Sequence, residues 1–111
     1  MALQIAIPVG ASGITATYWR HAEGGWSFAN LPPGAAGESE APDGMFWLSF
    51  VGYRDSAARI GGLEPVPGAS LRIWLTYGDV QRFVAEAGGN FRTAVYLAAK
   101  AAPVFSGAED A

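Results

Sequence analysis

The sequence predicts a single α+β domain: an antiparallel β-sheet of four to five strands followed by a broken C-terminal helical segment. Three observations carry this. Residues 3–9, 14–21 and 70–77 alternate in the period of two expected of strands. From Val80 the apolar residues switch to helical spacing and keep it, with one interruption, to Ala102. The chain has 111 residues, 50% of them hydrophobic, which suffices for one core and is too short for two ordinary domains. Strands first and helices last is the α+β order.

In the first strand Leu3, Ile5, Ile7 and Val9 alternate with Gln4, Ala6 and Pro8. Pro8 cannot donate to a ladder, so the strand lies at an edge or ends there. After Gly10–Gly13, a second strand runs from Ile14 to His21, rich in Thr and aromatics. Gly24-Gly25 predicts a hairpin turn, with Trp26-Ser-Phe-Ala starting a short return strand. Residues 32–44, PPGAAGESEAPDG, hold three prolines, three glycines, three acids and no large apolar residue, so a mobile loop is expected there.

The next strand poses a packing problem. In Met45–Tyr53 one parity holds Met45, Trp47, Val51 and Tyr53, broken only by Ser49, and the other holds Phe46, Leu48 and Phe50. A terminal helical layer covers one face of a sheet, so the second apolar face needs a second sheet layer or another chain. A connection follows, with one helical turn expected at Ser56–Ile60. Leu71, Ile73, Leu75 and Tyr77 then share one strand face, and Ser70, Arg72, Trp74 and Thr76 the other. Asp79 is the expected N-cap of the first helix, which carries Val80, Phe83, Val84 and Ala87 and stops at Gly88-Gly89. Asn90 caps a second helix with Phe91, Val95, Ala98 and Ala102, ended by Pro103. Residues 106–111 form a short acidic tail.

Composition narrows function. Charged residues are 15% of the chain, low for a dispersed monomer and suited to one that buries surface against other chains. The net charge is −3 and the seven basic residues are scattered, which argues against nucleic acid. There is no cysteine, which excludes disulfides and thiolate sites and fits synthesis in a reducing cytosol. MALQIAIPVG lacks the basic start and long apolar core of a signal peptide. No apolar run approaches the roughly 20 residues of a membrane span.

Catalytic signals are sparse. His21 is the only histidine, no serine lies in a G-x-S-x-G elbow, and the glycine pairs form no phosphate-binding fingerprint. Glu38, Glu40 and Asp43 lack the ligand spacing of a calcium loop. No catalytic, cofactor-binding or metal-binding residue is therefore assigned. What stands out is aromatic residues on faces that otherwise read as polar: Trp19 among Thr15, Thr17 and His21, and Trp74 among Ser70, Arg72 and Thr76. Two readings are open. These rings close a second core layer under the long loop, or they form a contact surface, where Trp, Tyr and Arg are the usual anchors. On the second reading the interface residues are Trp19, Arg20, Trp26, Phe46, Trp47, Phe50, Arg72 and Trp74.

The run FVGYRDSAARIGGLEPVP at 50–67 resembles a pattern in small structural proteins of tailed bacteriophages, in which a strand leads into Gly-Tyr, Ala-Ala-Arg, a glycine and a proline. The opening GITATYWR at 13–20 and the ending PVFSGAEDA, after an apolar helix, are similar to the same group. The loop at 32–44 is longer than in that pattern. The resemblance implies a non-catalytic virion component, made in the host cytoplasm. The first choice is a tail, tail-tip or fibre-attachment subunit. Its partners would be other virion proteins and copies of itself, with no nucleic acid, membrane, small-molecule substrate or cofactor. A capsid decoration protein, an assembly chaperone and, last, a small hydrolase using His21 are the rival readings. On the favoured reading the 32–44 loop and the acidic tail become ordered on assembly.

Overall fold

The computed structural model describes residues 2–9, 14–27 and 45–111. The loop expected at 32–44 lies outside the described residues. Five strands form one antiparallel sheet: β1 (Leu3–Val9), β2 (Ile14–Ser27), β3 (Met45–Tyr53), β4 (Ser70–Thr76) and β5 (Glu109–Asp110), in the spatial order β4-β3-β2-β1-β5. The helices are α1 (Ser56–Ile60), α2 (Tyr77–Glu86) and α3 (Phe91–Ala101), and a 3-10 turn at Pro103–Phe105 follows. The fold is α+β.

β2 differs from expectation. It is one strand of 14 residues, and Gly24-Gly25 lies inside it rather than in a hairpin turn. Gly24 pairs with Leu48, Gly25 with Trp47 and Trp26 with Phe46. A Cβ on Gly25 would stand 2.9 Å from the Trp47 indole, and one on Gly24 would stand 2.9 Å from the Trp47 carbonyl. The glycines are there because β3 comes too close for side chains, the other common reason for glycine in a strand. A bulge at Ala22, where the pairing steps from His21↔Phe50 to Glu23↔Ser49, sets the parity for the rest of the strand.

β1 fits its expected edge role. It pairs with β2 at Leu3–Gln4 and again at Ile7–Val9, with an irregularity between. Among the described residues β5 joins it only at Leu3 and Gln4, so no described strand pairs with it on the far side of Pro8. The acidic tail is therefore not free. Glu109 and Asp110 form β5, the Ala111 amide donates to the Ala2 carbonyl, and Lys100 pairs with Asp110 at 3.2 Å.

At the other end, α2 is capped three residues before the expected Asp79. Thr76 is the N-cap: its hydroxyl accepts from the Asp79 amide, while the Asp79 carboxylate accepts from the Thr76 amide. This capping box lets the chain pass from strand to helix without a linker. Gly88 and Gly89, at φ +65° and +89°, end the helix, and Asn90 caps α3 through the Thr93 amide.

The core lies between the sheet and α2–α3. Trp19, Phe50, Phe105 and Leu3 are its largest fully buried side chains. Phe50 meets Tyr96 of α3 and Phe105 edge-on at centroid separations of 5.9 and 5.2 Å, and Trp19 meets Phe105 at 5.7 Å. The Phe46, Leu48 and Phe50 face of β3 is thus the helix-covered one, and the Met45, Trp47, Ser49, Val51 and Tyr53 face looks the other way.

Candidate interaction surfaces

The eight residues expected at an interface separate into three places. Trp19 and Phe50 are 1% and 0% exposed. Their rings belong to the chain's own core, and this corrects their assignment as contact anchors. Trp19 looked misplaced on a polar face because Thr15 and Thr17 flank it. Its partner across the ladder is Gly52, whose missing side chain makes room: a Cβ there would come within 2.9 Å of the Trp19 ring and 2.8 Å of the Ala16 Cβ. The Trp19 indole N–H donates to the Ile5 and Ala16 carbonyls at 3.2 and 3.3 Å, so its one polar atom is satisfied on burial.

The second place is an aromatic row at the rim of the helix-covered face. Trp26 and Phe46 are cross-strand partners with their rings stacked 5.1 Å apart and 13° from parallel. Phe46 in turn meets Tyr77, the first residue of α2, at 6.2 Å. Trp26 and Tyr77 remain 49% and 46% exposed. Tyr77 was missing from the expected set because the strand pattern runs through it, whereas the helix begins there and turns its ring towards Phe46. Phe91, at the start of α3, is also exposed and shares an apolar pocket with Phe46, Phe83 and Val95.

The third place is the sheet face away from the helices. Trp47 lies against Gly25, and the Arg72 guanidinium stands over its ring at 4.1 Å from the centroid. This is a close cation–π contact that fixes both side chains. Trp74 is the cross-strand partner of Trp47, and Arg20, opposite Val51, continues the same face. Tyr18 and Tyr53 close its far end as an edge-on pair at 6.4 Å, with Arg59 of α1 over Tyr53 at 5.9 Å. Met45 and Ser49 are buried on this face, while Trp47, Val51, Tyr53 and Trp74 are half-buried.

His21 borders the core group. Its ring packs on Phe50 at 5.6 Å, its amide donates to the Tyr96 hydroxyl, and its Nε2 has no hydrogen-bond partner among the described residues. Desolvation by burial lowers its pKa below the ordinary histidine value, and a backbone hydrogen bond at Glu23 opposes this only in part. Among the described residues no group of three or more His, Asp or Glu side chains is placed to hold a metal ion. Among those residues no helix is long and apolar enough to cross a membrane.

Comparison with protein-family models, with curated proteins and with solved structures returns no match to this chain.

Proposed function

We propose that the chain is a non-catalytic packing subunit that binds other protein chains through its exposed aromatic residues. We assign its assembly to a bacteriophage particle, with a place in the tail or tail tip as first choice. The observation that carries the packing reading is the row Trp26–Phe46–Tyr77. Two of its rings are about half exposed, and Phe46 contacts both, Trp26 by stacking and Tyr77 at a tilt. Aromatic side chains immobilised before binding lose little entropy on association and are the usual energetic anchors of interfaces. The low charge content supports the same reading. The assignment to a virion rests on the resemblance of residues 13–20, 50–67 and 103–111 to phage structural proteins.

The test is to purify particles from the source on a density gradient and quantify this protein against the major capsid protein by mass spectrometry. A low, ring-like copy number is the expected result, and near-capsid stoichiometry would move the subunit to the capsid surface. Absence from the particle would overturn the structural reading and leave a transient chaperone or an enzyme. In the same particles the double variant Trp26→Ala, Tyr77→Ala should fold and fail to incorporate. Full incorporation would remove the aromatic row from the interface.

A further inference from the structure

The two edges of the sheet are built differently. On one side β5 presents Glu109 and Asp110, and beyond it the open part of β1 carries Pro8. Charge and proline are devices that keep a strand edge from pairing. The outer edge of β4, SLRIWLT, has no proline and a single charge over seven residues.

The polar backbone of this edge is aimed outward at its centre. The Gly52 amide donates to the Ala69 carbonyl at 2.9 Å, one step beyond the Val51↔Ser70 pair. Antiparallel ladders alternate, so Leu71, Ile73 and Leu75 turn their N–H and C=O groups towards β3. Those of Arg72 and Trp74 point away from the sheet. Beside the edge lies a cleft of about 440 Å³ between β4 and the helices, lined by Ile73, Leu75, Phe83 and Val104 and also by the charged Asp79 and Arg82. A strand added to β4 would lay every second side chain into this cleft.

The strand is complementary to itself. When two copies run antiparallel about Ile73, Ile73 meets Ile73, Arg72 meets Trp74, Leu71 meets Leu75 and Ser70 meets Thr76. Each of these is a favourable cross-strand combination: a guanidinium beside an indole, apolar with apolar, hydroxyl with hydroxyl. The only charge in the strand never faces its own copy. The register also suits the backbone, because Arg72 and Trp74, whose polar groups point outward, become the hydrogen-bonded pairs on either side of the two-fold axis.

We propose that two copies of this chain pair through β4, joining their sheets into one continuous sheet and filling each other's clefts with Leu71 and Leu75. The proposal rests on the packing-subunit reading and names one of its partners as a second copy. It is isologous, as most closed dimers are.

Sedimentation equilibrium of the purified chain over a range of concentrations is expected to show a monomer–dimer equilibrium. Trp74→Arg sets two arginines against each other on both sides of the axis and should weaken the dimer about tenfold or more. Adding Arg72→Glu to that variant places a carboxylate opposite each new guanidinium and should restore the affinity. Arg72→Pro removes an outward N–H without breaking the β3 ladder, and should also yield monomers. Circular dichroism confirms that each variant is folded before its mass is read. A wild-type chain that stays monomeric overturns the β4 pairing, as does a Trp74→Arg dimer of unchanged affinity or a double variant no tighter than Trp74→Arg. A monomeric chain still present in particles sinks this pairing and leaves the packing-subunit reading intact. A β4 dimer absent from particles does the reverse.

Discussion

The division of the aromatic residues between core and surface sets opposite costs for substitutions of similar size. Phe50 is fully buried against Tyr96 and Phe105, and Phe50→Ala should cost about 3–5 kcal/mol in urea unfolding, the range for a large core cavity. Trp26→Ala removes mainly a stacked ring at the surface and should cost about 1.5 kcal/mol or less. Equal losses would place the two rings in the same environment. His21 adds a pH dependence. Its folded pKa lies below the unfolded value, so the unfolded chain binds the proton first as pH falls. Its contribution is present at neutral pH and is lost as the medium is acidified below the unfolded value of about 6.5, down through the folded pKa. Thermal melts from pH 7.5 to 5 should show a falling midpoint, and His21→Gln should flatten that fall. A wild-type midpoint that rises on acidification would contradict the burial assigned to this ring. At this scale the sequence was legible where a side chain follows its own strand's parity, as Leu71, Ile73 and Leu75 do. Trp19 was left between core and surface because its burial depends on Gly52 of a neighbouring strand, 33 positions away, and no local pattern carries that information.

At the level of elements, the turn from β4 into α2 depends on one reciprocal cap. Thr76→Ala removes the acceptor for the Asp79 amide, and about 1 kcal/mol should be lost in chemical denaturation. Asp79→Ala tests the other half of the box, since Asp79 also pairs with Arg82 at 3.5 Å across an exposed surface. A loss confined to Asp79→Ala would shift the role from capping to that ion pair. The period change from two to 3.6 located α2 correctly, but the cap fell three residues late because Asp79 has the composition of an N-cap while serving as N3. The Gly24-Gly25 error has a similar origin. Two glycines between aromatic segments have the composition of a hairpin turn, and only the approach of Trp47 over Gly25 shows that they keep a strand open. The run at 55–61 was easier to interpret, since its residues act locally: Asp55 caps α1 through the Ala58 amide, and the Gly61 amide donates to the Ala57 carbonyl.

Across the whole molecule, the question raised by the doubly apolar strand has a two-part answer. The Phe46–Leu48–Phe50 face is closed by α2, α3 and Phe105, while the Trp47–Val51–Tyr53 face is shielded in part by Arg72, Gly25 and Arg59. Among the described residues no strand pairs with the outer edge of β4, while β5 covers the Leu3–Gln4 end of β1. Closure at β1 matters for the core, because Leu3 is 0% exposed and lies directly under the β5 pairing. Removing residues 107–111 deletes the β5 ladder, the Ala111–Ala2 hydrogen bond and the Lys100–Asp110 pair together. Several backbone hydrogen bonds at roughly 0.5–1.5 kcal/mol each, less the entropy of ordering the tail, give an expected loss of about 1–3 kcal/mol. The truncated chain should also expose an unpaired edge at Leu3 and Gln4, the condition under which strands seek another chain. Denaturant unfolding and light scattering on the truncated protein read the two effects separately. A truncated chain of unchanged stability and unchanged mass would mean that β5 decorates the sheet without closing it.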